Sequence, residues 1–182
     1  MARQPRNATV LHMIVAMARL LVPVVGAVWF FTQDPEPPIA AVDPRPVAEQ
    51  AAAAASYEVL APQNLPEGWV TTRARFTPAG NPLVGGDPAP GDTFGLGFLT
   101  PGRTYVALDQ RDVAPEPFVV DVSRGGRAEG ESVVGERTWV RYVSDDGRTR
   151  SLVHRGDAVT IVSGDLPYEA LETFASTLVP VT

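Results

Sequence analysis

Residues 10–31, VLHMIVAMARLLVPVVGAVWFF, form a 22-residue apolar run with a single charge, Arg19. A helix of that length covers about 30 Å of hydrocarbon, so the run reads as a transmembrane helix in contact with a lipid bilayer. Trp29, Phe30 and Phe31 stand where an interfacial aromatic belt is expected, and Gln33-Asp34-Pro35 stops the run. A cleaved signal peptide would carry a shorter apolar stretch, about 7–15 residues, ending in small side chains; this run is longer and ends in bulky ones. Arg3 and Arg6 precede it. The positive-inside tendency therefore places residues 1–9 in the cytoplasm and the rest of the chain outside.

Arg19 falls near mid-span, where an arginine costs roughly 2.5–3.5 kcal/mol against about 0.3–0.6 gained per Leu, Ile, Val or Phe. The run holds twelve of those four residue types, enough to carry the helix in. Two placements satisfy the charge. The side chain can snorkel to the cytoplasmic headgroups, or it can meet an acidic or carbonyl partner on another membrane protein.

Composition removes much chemistry before any motif is sought. There is no cysteine, which excludes disulfides, thiolate metal sites and cysteine nucleophiles. All 15 basic residues are arginine, so a Schiff-base lysine and a phosphate-loop lysine are excluded too. Residues 1–31 carry three arginines and no acid, while the remainder sets twelve arginines against 21 acids, a net of −9. A body that acidic repels a phosphate backbone, so nucleic acid is not an expected partner.

Residues 32–56 are rich in proline and then alanine, and read as a spacer, extended through its prolines and with a helical turn or two in its alanine run. From Tyr57 to the C-terminus short apolar alternations are punctuated by Gly, Pro and Asp. Six strands are predicted, at 69–76, 93–100, 104–110, 137–144, 149–155 and 158–163. With no long helices between them they imply an antiparallel sheet and an α+β domain over 57–182. Asp146-Gly147 and Thr100-Pro101-Gly102-Arg103 supply the positive φ of two hairpin turns. In SGDLPYEALETFASTL, residues 163–178, Tyr168, Leu171, Phe174, Ala175 and Leu178 recur at helical spacing, giving a helix of about 13 residues that must dock on the sheet to be stable. Which strand parity meets it stays open. A further short helix is expected at 116–122, covering a sheet edge, and a long Pro/Gly loop at 77–92.

The catalytic inventory is thin. His154 is the one histidine of the outer part, and in a strand it points away from Ser151. Gly95-Leu96-Gly97 lacks the third glycine of a nucleotide loop and lies inside a strand. Those glycines instead bare one strand face to a backbone, a helix or a ligand. Trp139 and Arg141 alternate on another strand and complete the candidate ligand or packing face. Arg73, Arg124 and Arg141 are among the outer arginines that could hold an anionic headgroup or a peptide carboxylate, or pair with nearby acids. No catalytic, cofactor-binding or metal-binding set is expected, and the chain reads as a non-enzyme.

YEVLAPQNLPEGW, FGLGFLTPGRTYVALDQRD, GERTWVRYVSDDGRTRSLVHR and AVTIVSGDLPYEALETFASTL together resemble an actinobacterial family of single-pass membrane proteins known as domain of unknown function 4245. The likeness covers roughly 57–178 and the anchor before it. It implies an N-terminal anchor and a small outer domain, and no activity. The expected function is a membrane-anchored interaction domain, an accessory or assembly subunit of a larger envelope complex with a membrane-protein partner. The alternative is a domain that binds an apolar lipid or peptide.

Overall fold

A computed structural model of the chain describes residues 7–31 and 40–182. The chain divides into two compact units, Met1–Pro38 and Ile39–Thr182. In the first, helix α1 (Asn7–Phe31) contains Pro23 and has the length and apolarity of a membrane span, properties that anchors and signal sequences share. Met13, Ile14, Leu20 and Val24 stand exposed along it, a surface suited to lipid rather than water.

The second unit begins earlier than position 57. Helix α2 (Arg45–Ala54) follows Pro44 and buries Ala48 and Ala51 against the core, and Val42 N–H donates to the Thr71 carbonyl at 2.8 Å. The alanine run is thus part of the domain, and the spacer reading is corrected for residues 40–56. Residues 32–39 lie outside the described part.

Seven antiparallel strands form the main sheet: β2 (Val70–Thr77), β3 (Thr93–Leu99), β4 (Tyr105–Arg111), β5 (Arg127–Val134), β6 (Arg137–Val143), β7 (Arg150–Arg155) and β8 (Val159–Gly164). Their order is β2-β3-β4-β8-β7-β6-β5. Two meanders therefore meet at the β4–β8 seam, and each places its last strand at the centre. β1 (Leu60–Pro62) and β9 (Leu178–Pro180) pair as a separate two-stranded ribbon. All six predicted strands are present within a residue or two, and β5 in the main sheet and β1 and β9 of the ribbon are additional. β5 is a sheet edge on which Ser132 alone is buried, so no apolar alternation marks it.

The two helices that follow central strands take opposite faces. The β4-to-β5 connection must travel from the centre to the far edge, and helix α3 (Pro115–Val122) lies on this path. Phe118 and Val119 of α3 pack on Val153, Val159 and Ile161, so α3 covers a sheet face rather than an edge. Helix α4 (Tyr168–Ala175) follows β8 and packs Leu171, Phe174 and Ala175 on the other face, with Leu96, Leu108, Trp139, Leu152 and Val162. This settles the parity: α4 takes Trp139 and Val162, α3 takes Val159 and Ile161. Phe174 is the centre of that core, stacked on Trp69 at 5.3 Å and tilted against Phe98 at 5.1 Å. α4 is shorter than the expected helix, because the chain turns into β9 at Leu178 to close the ribbon with β1.

The long loop at 77–92 is internally bonded. Gly80 N–H donates to the Ala89 carbonyl, Ala89 N–H to Asn81 and Leu83 N–H to Asp87, each at 2.8 Å, while Asp92 accepts from Ala79 N–H at 2.9 Å. In the Ser144–Thr149 turn Gly147 carries the positive φ, as expected; in the Thr100–Thr104 turn it falls on Arg103, not Gly102.

Candidate functional site

Register decides which residues can share a site. Gly95 pairs with Asp109, which pairs with Ile161, then Val153, then Val140, so Gly95 and Gly97 belong to the α3 face. Trp139 and Arg141 have the opposite parity and belong to the α4 face. The four residues expected to line one ligand or packing face therefore lie on two, because sheet parity alternates residue by residue. Arg19 lies on α1, in the other unit.

Each has an identifiable role in packing. A Cβ on Gly97 would come within 2.9 Å of the Tyr105 ring, and one on Gly95 within 2.8 Å of Asp109 Oδ1. The bare strand surface is thus the bed on which Tyr105 and the Arg73–Asp109 pair rest. Trp139 is fully buried, with His154 ring to ring at 5.4 Å. Arg141 ties α4 to β5: its Nη2 donates to Glu172 Oε1 at 2.7 Å and its Nε to Ser132 Oγ at 2.6 Å, while Ser132 Oγ donates to Glu172 Oε1 at 2.5 Å. Its guanidinium lies 5.0 Å from the Tyr168 ring centroid rather than on Trp139. Ser132's hydrogen bond first, and Arg141's second, hold the Glu172 carboxyl below its ordinary value.

The α3 face also carries what sequence reasoning passed over, a cleft of about 570 Å³ between α3 and the β3–β4 end of the sheet. Four arginines line it: Arg73 from β2, Arg103 from the β3–β4 turn, Arg111 from β4 and Arg124 from the end of α3. Arg73 Nη2 meets Asp109 Oδ1 at 2.9 Å, and the Arg111 guanidinium sits 4.3 Å over the Phe118 ring while its Nε donates to Thr93 Oγ1 at 3.2 Å. Burial pushes the Asp109 carboxyl up to about 6, with Arg73 opposing the shift. Arg103 and Arg111 gave no sequence signal, since only the strand order brings them beside Arg73 and Arg124. Among the described residues no group of three or more His, Asp or Glu is placed to hold a metal ion.

An α+β domain with a curtain of antiparallel strands, joined to one helix of membrane-spanning length, is the class these features define. The chain belongs to the family described as protein of unknown function DUF4245, whose model matches residues 6–178. No curated protein matches it.

Proposed function

We propose that this chain is a membrane-anchored, extracytoplasmic interaction protein without chemistry of its own, an accessory or assembly subunit of a larger envelope membrane complex. The observation that carries this reading is one face of α1. His12, Ala16, Arg19, Pro23 and Gly26 recur at alternating spacings of four and three, so they share a stripe, while Met13, Ile14, Leu20, Leu21, Val24 and Val25 lie off it. Arg19 brings a charge to mid-span, and Pro23 lacks the N–H that would ordinarily bond the Arg19 carbonyl four residues earlier. Both polar demands arise at one depth, beside a glycine that lets a second helix approach closely. Arg19 from a second copy would add repulsion. An acidic side chain on a different membrane protein satisfies the charge, and in this reading that protein is the partner.

The reading places residues 1–9 in the cytoplasm and the folded unit outside. The apolar-ligand alternative draws no support from Gly95 and Gly97, above which Tyr105, Arg73 and Asp109 already lie. Affinity purification in mild detergent, comparing the parent with Arg19→Leu and Arg19→Lys, tests the proposal. A specific membrane protein that co-purifies with the parent and the Lys variant, and is lost with Leu, is the expected result. Equal recovery with all three leaves Arg19 to snorkelling and sinks the reading.

A further inference from the structure

We propose that the arginine-lined cleft on the α3 face binds a phosphate-bearing ligand, gripped by Arg73, Arg103, Arg111 and Arg124. The inference is independent of how the chain is anchored.

Backbone conformation is its first support. Three non-glycine residues among those described have a positive φ: Arg103 at 60°, Ala114 at 52° and Arg124 at 56°. The two arginines line the same cleft. In the β3–β4 turn, Arg103 N–H donates to the Thr100 carbonyl at 2.9 Å and Thr100 N–H to Thr104 at 3.0 Å, so Arg103 holds the left-handed corner. At the end of α3, Gly125 N–H reaches the Val120 carbonyl at 2.8 Å and Arg124 N–H the Asp121 carbonyl at 3.1 Å, a helix stop in which Arg124 and Gly125 both take a positive φ, 56° and 70°. Glycine takes such a corner without strain, and a side chain with a Cβ does not. Gly102 stands beside Arg103 in sequence, yet Arg103 takes the left-handed position; at the end of α3 Arg124 is left-handed together with Gly125. Strain of this kind persists where the side chain is needed in place.

Charge is the second. The chain beyond residue 31 is acidic, whereas this cleft gathers four arginines around three aspartates, Asp109, Asp121 and Asp165. Asp165 is already engaged, accepting from Thr149 Oγ1 at 2.7 Å and standing 4.0 Å from Arg148. Guanidinium forks match phosphate oxygens two at a time. A single carboxylate needs one fork; four, in a cleft of about 570 Å³, suit a phosphate with room for the group it esterifies. A lipid headgroup and a soluble phosphate ester present this chemistry alike.

The test is calorimetric titration of the full chain in a neutral detergent, at constant ionic strength, with glycerol 3-phosphate, with dihexanoylphosphatidylglycerol below its micelle concentration, and with acetate as the control. Saturable binding of either phosphate probe but not acetate is expected. Binding of the lipid alone assigns a headgroup, and of glycerol 3-phosphate alone a soluble ester. Arg103→Gly and Arg124→Gly should each weaken binding about tenfold, the loss of one charge-assisted contact, while leaving Tm unchanged or raised because the corner strain is relieved. No saturable binding of either phosphate probe, or glycine variants that bind like the parent or melt lower, overturns the proposal.

Discussion

Gln110 and Leu60 exchange two hydrogen bonds: Gln110 Nε2 donates to the Leu60 carbonyl at 2.6 Å, and Leu60 N–H donates to Gln110 Oε1 at 3.0 Å. A side-chain amide here does the work of a neighbouring strand, tying β1, and through it β9, to the main sheet. Gln110 is fully buried and Leu60 nearly so. Gln110→Leu strands an N–H and a carbonyl where water has no access, at a cost of about 2–4 kcal/mol. Urea unfolding of the full chain in detergent should show a lower midpoint with an unchanged slope; an unchanged midpoint would mean the ribbon is held by apolar contacts alone.

The Arg141–Glu172–Ser132 cluster makes a pH-dependent contribution. Folding favours the ionised Glu172, whose carboxyl is held below its ordinary 4.5. Its contribution is therefore present above that value and lost as pH falls through the lower folded-state value. Both side chains of the ion pair are partly exposed, 33% and 26%, so Glu172→Gln should cost only about 0.5–1 kcal/mol at pH 7. The variant's deficit should shrink on acidification below about pH 4. A deficit that stays constant down to pH 3 would show that the carboxylate charge is not what α4 uses.

The parts of this fold legible in sequence are those whose burial writes a period. β3, β4, β7 and β8 are rich in buried apolar residues, and α4 repeats Leu171, Phe174 and Ala175 at helical spacing. α2 buries only alanines, so its docking face resembled a low-complexity spacer. β5 buries Ser132 alone, and its bulge between Ala128 and Gly130 breaks even that alternation. The cleft was less legible still. Parity separates Gly95 from Arg141 only once the register is followed through β4, β8 and β7, and Arg103 joins Arg73, Arg111 and Arg124 only across a turn, two strands and a helix end. Gly102-Arg103 and Arg124-Gly125 were visible as pairs; that the arginine of each turns left-handed is a property of the hydrogen-bonded corner.

Asp109 should make the cleft sensitive to mild acid. The groups facing it are Arg73 from β2, Arg111 and Tyr105 from β4 and Asp121 from α3. Its carboxyl, at about 6, lies above the unfolded 3.8, so the folded state keeps the proton longer and loses stability as pH rises between those values, then levels off. Protonation also releases Arg73 from its ion pair. Dihexanoylphosphatidylglycerol, a diester with no second ionisation in this range, should accordingly bind tighter at pH 5 than at pH 7.5. Asp109→Asn should remove that difference and bind tightly at both. A variant that keeps the parent's pH dependence would place the titrating group elsewhere.

The absence of native cysteine makes orientation directly measurable, since any thiol introduced is the only one on the chain. Glu136 sits exposed in the two-residue turn between β5 and β6, beside Gly135 at φ 61°, so a cysteine there disturbs no packing. Intact cells expressing Glu136→Cys should react with a membrane-impermeant maleimide before permeabilisation, as Arg3 and Arg6 ahead of the apolar run lead one to expect. Size on a denaturing gel separates anchor from signal sequence in the same sample. A labelled band retaining the first 31 residues supports the anchor, and a shorter one in the medium supports cleavage. Labelling only after permeabilisation would invert the topology and remove the folded unit from the outer side.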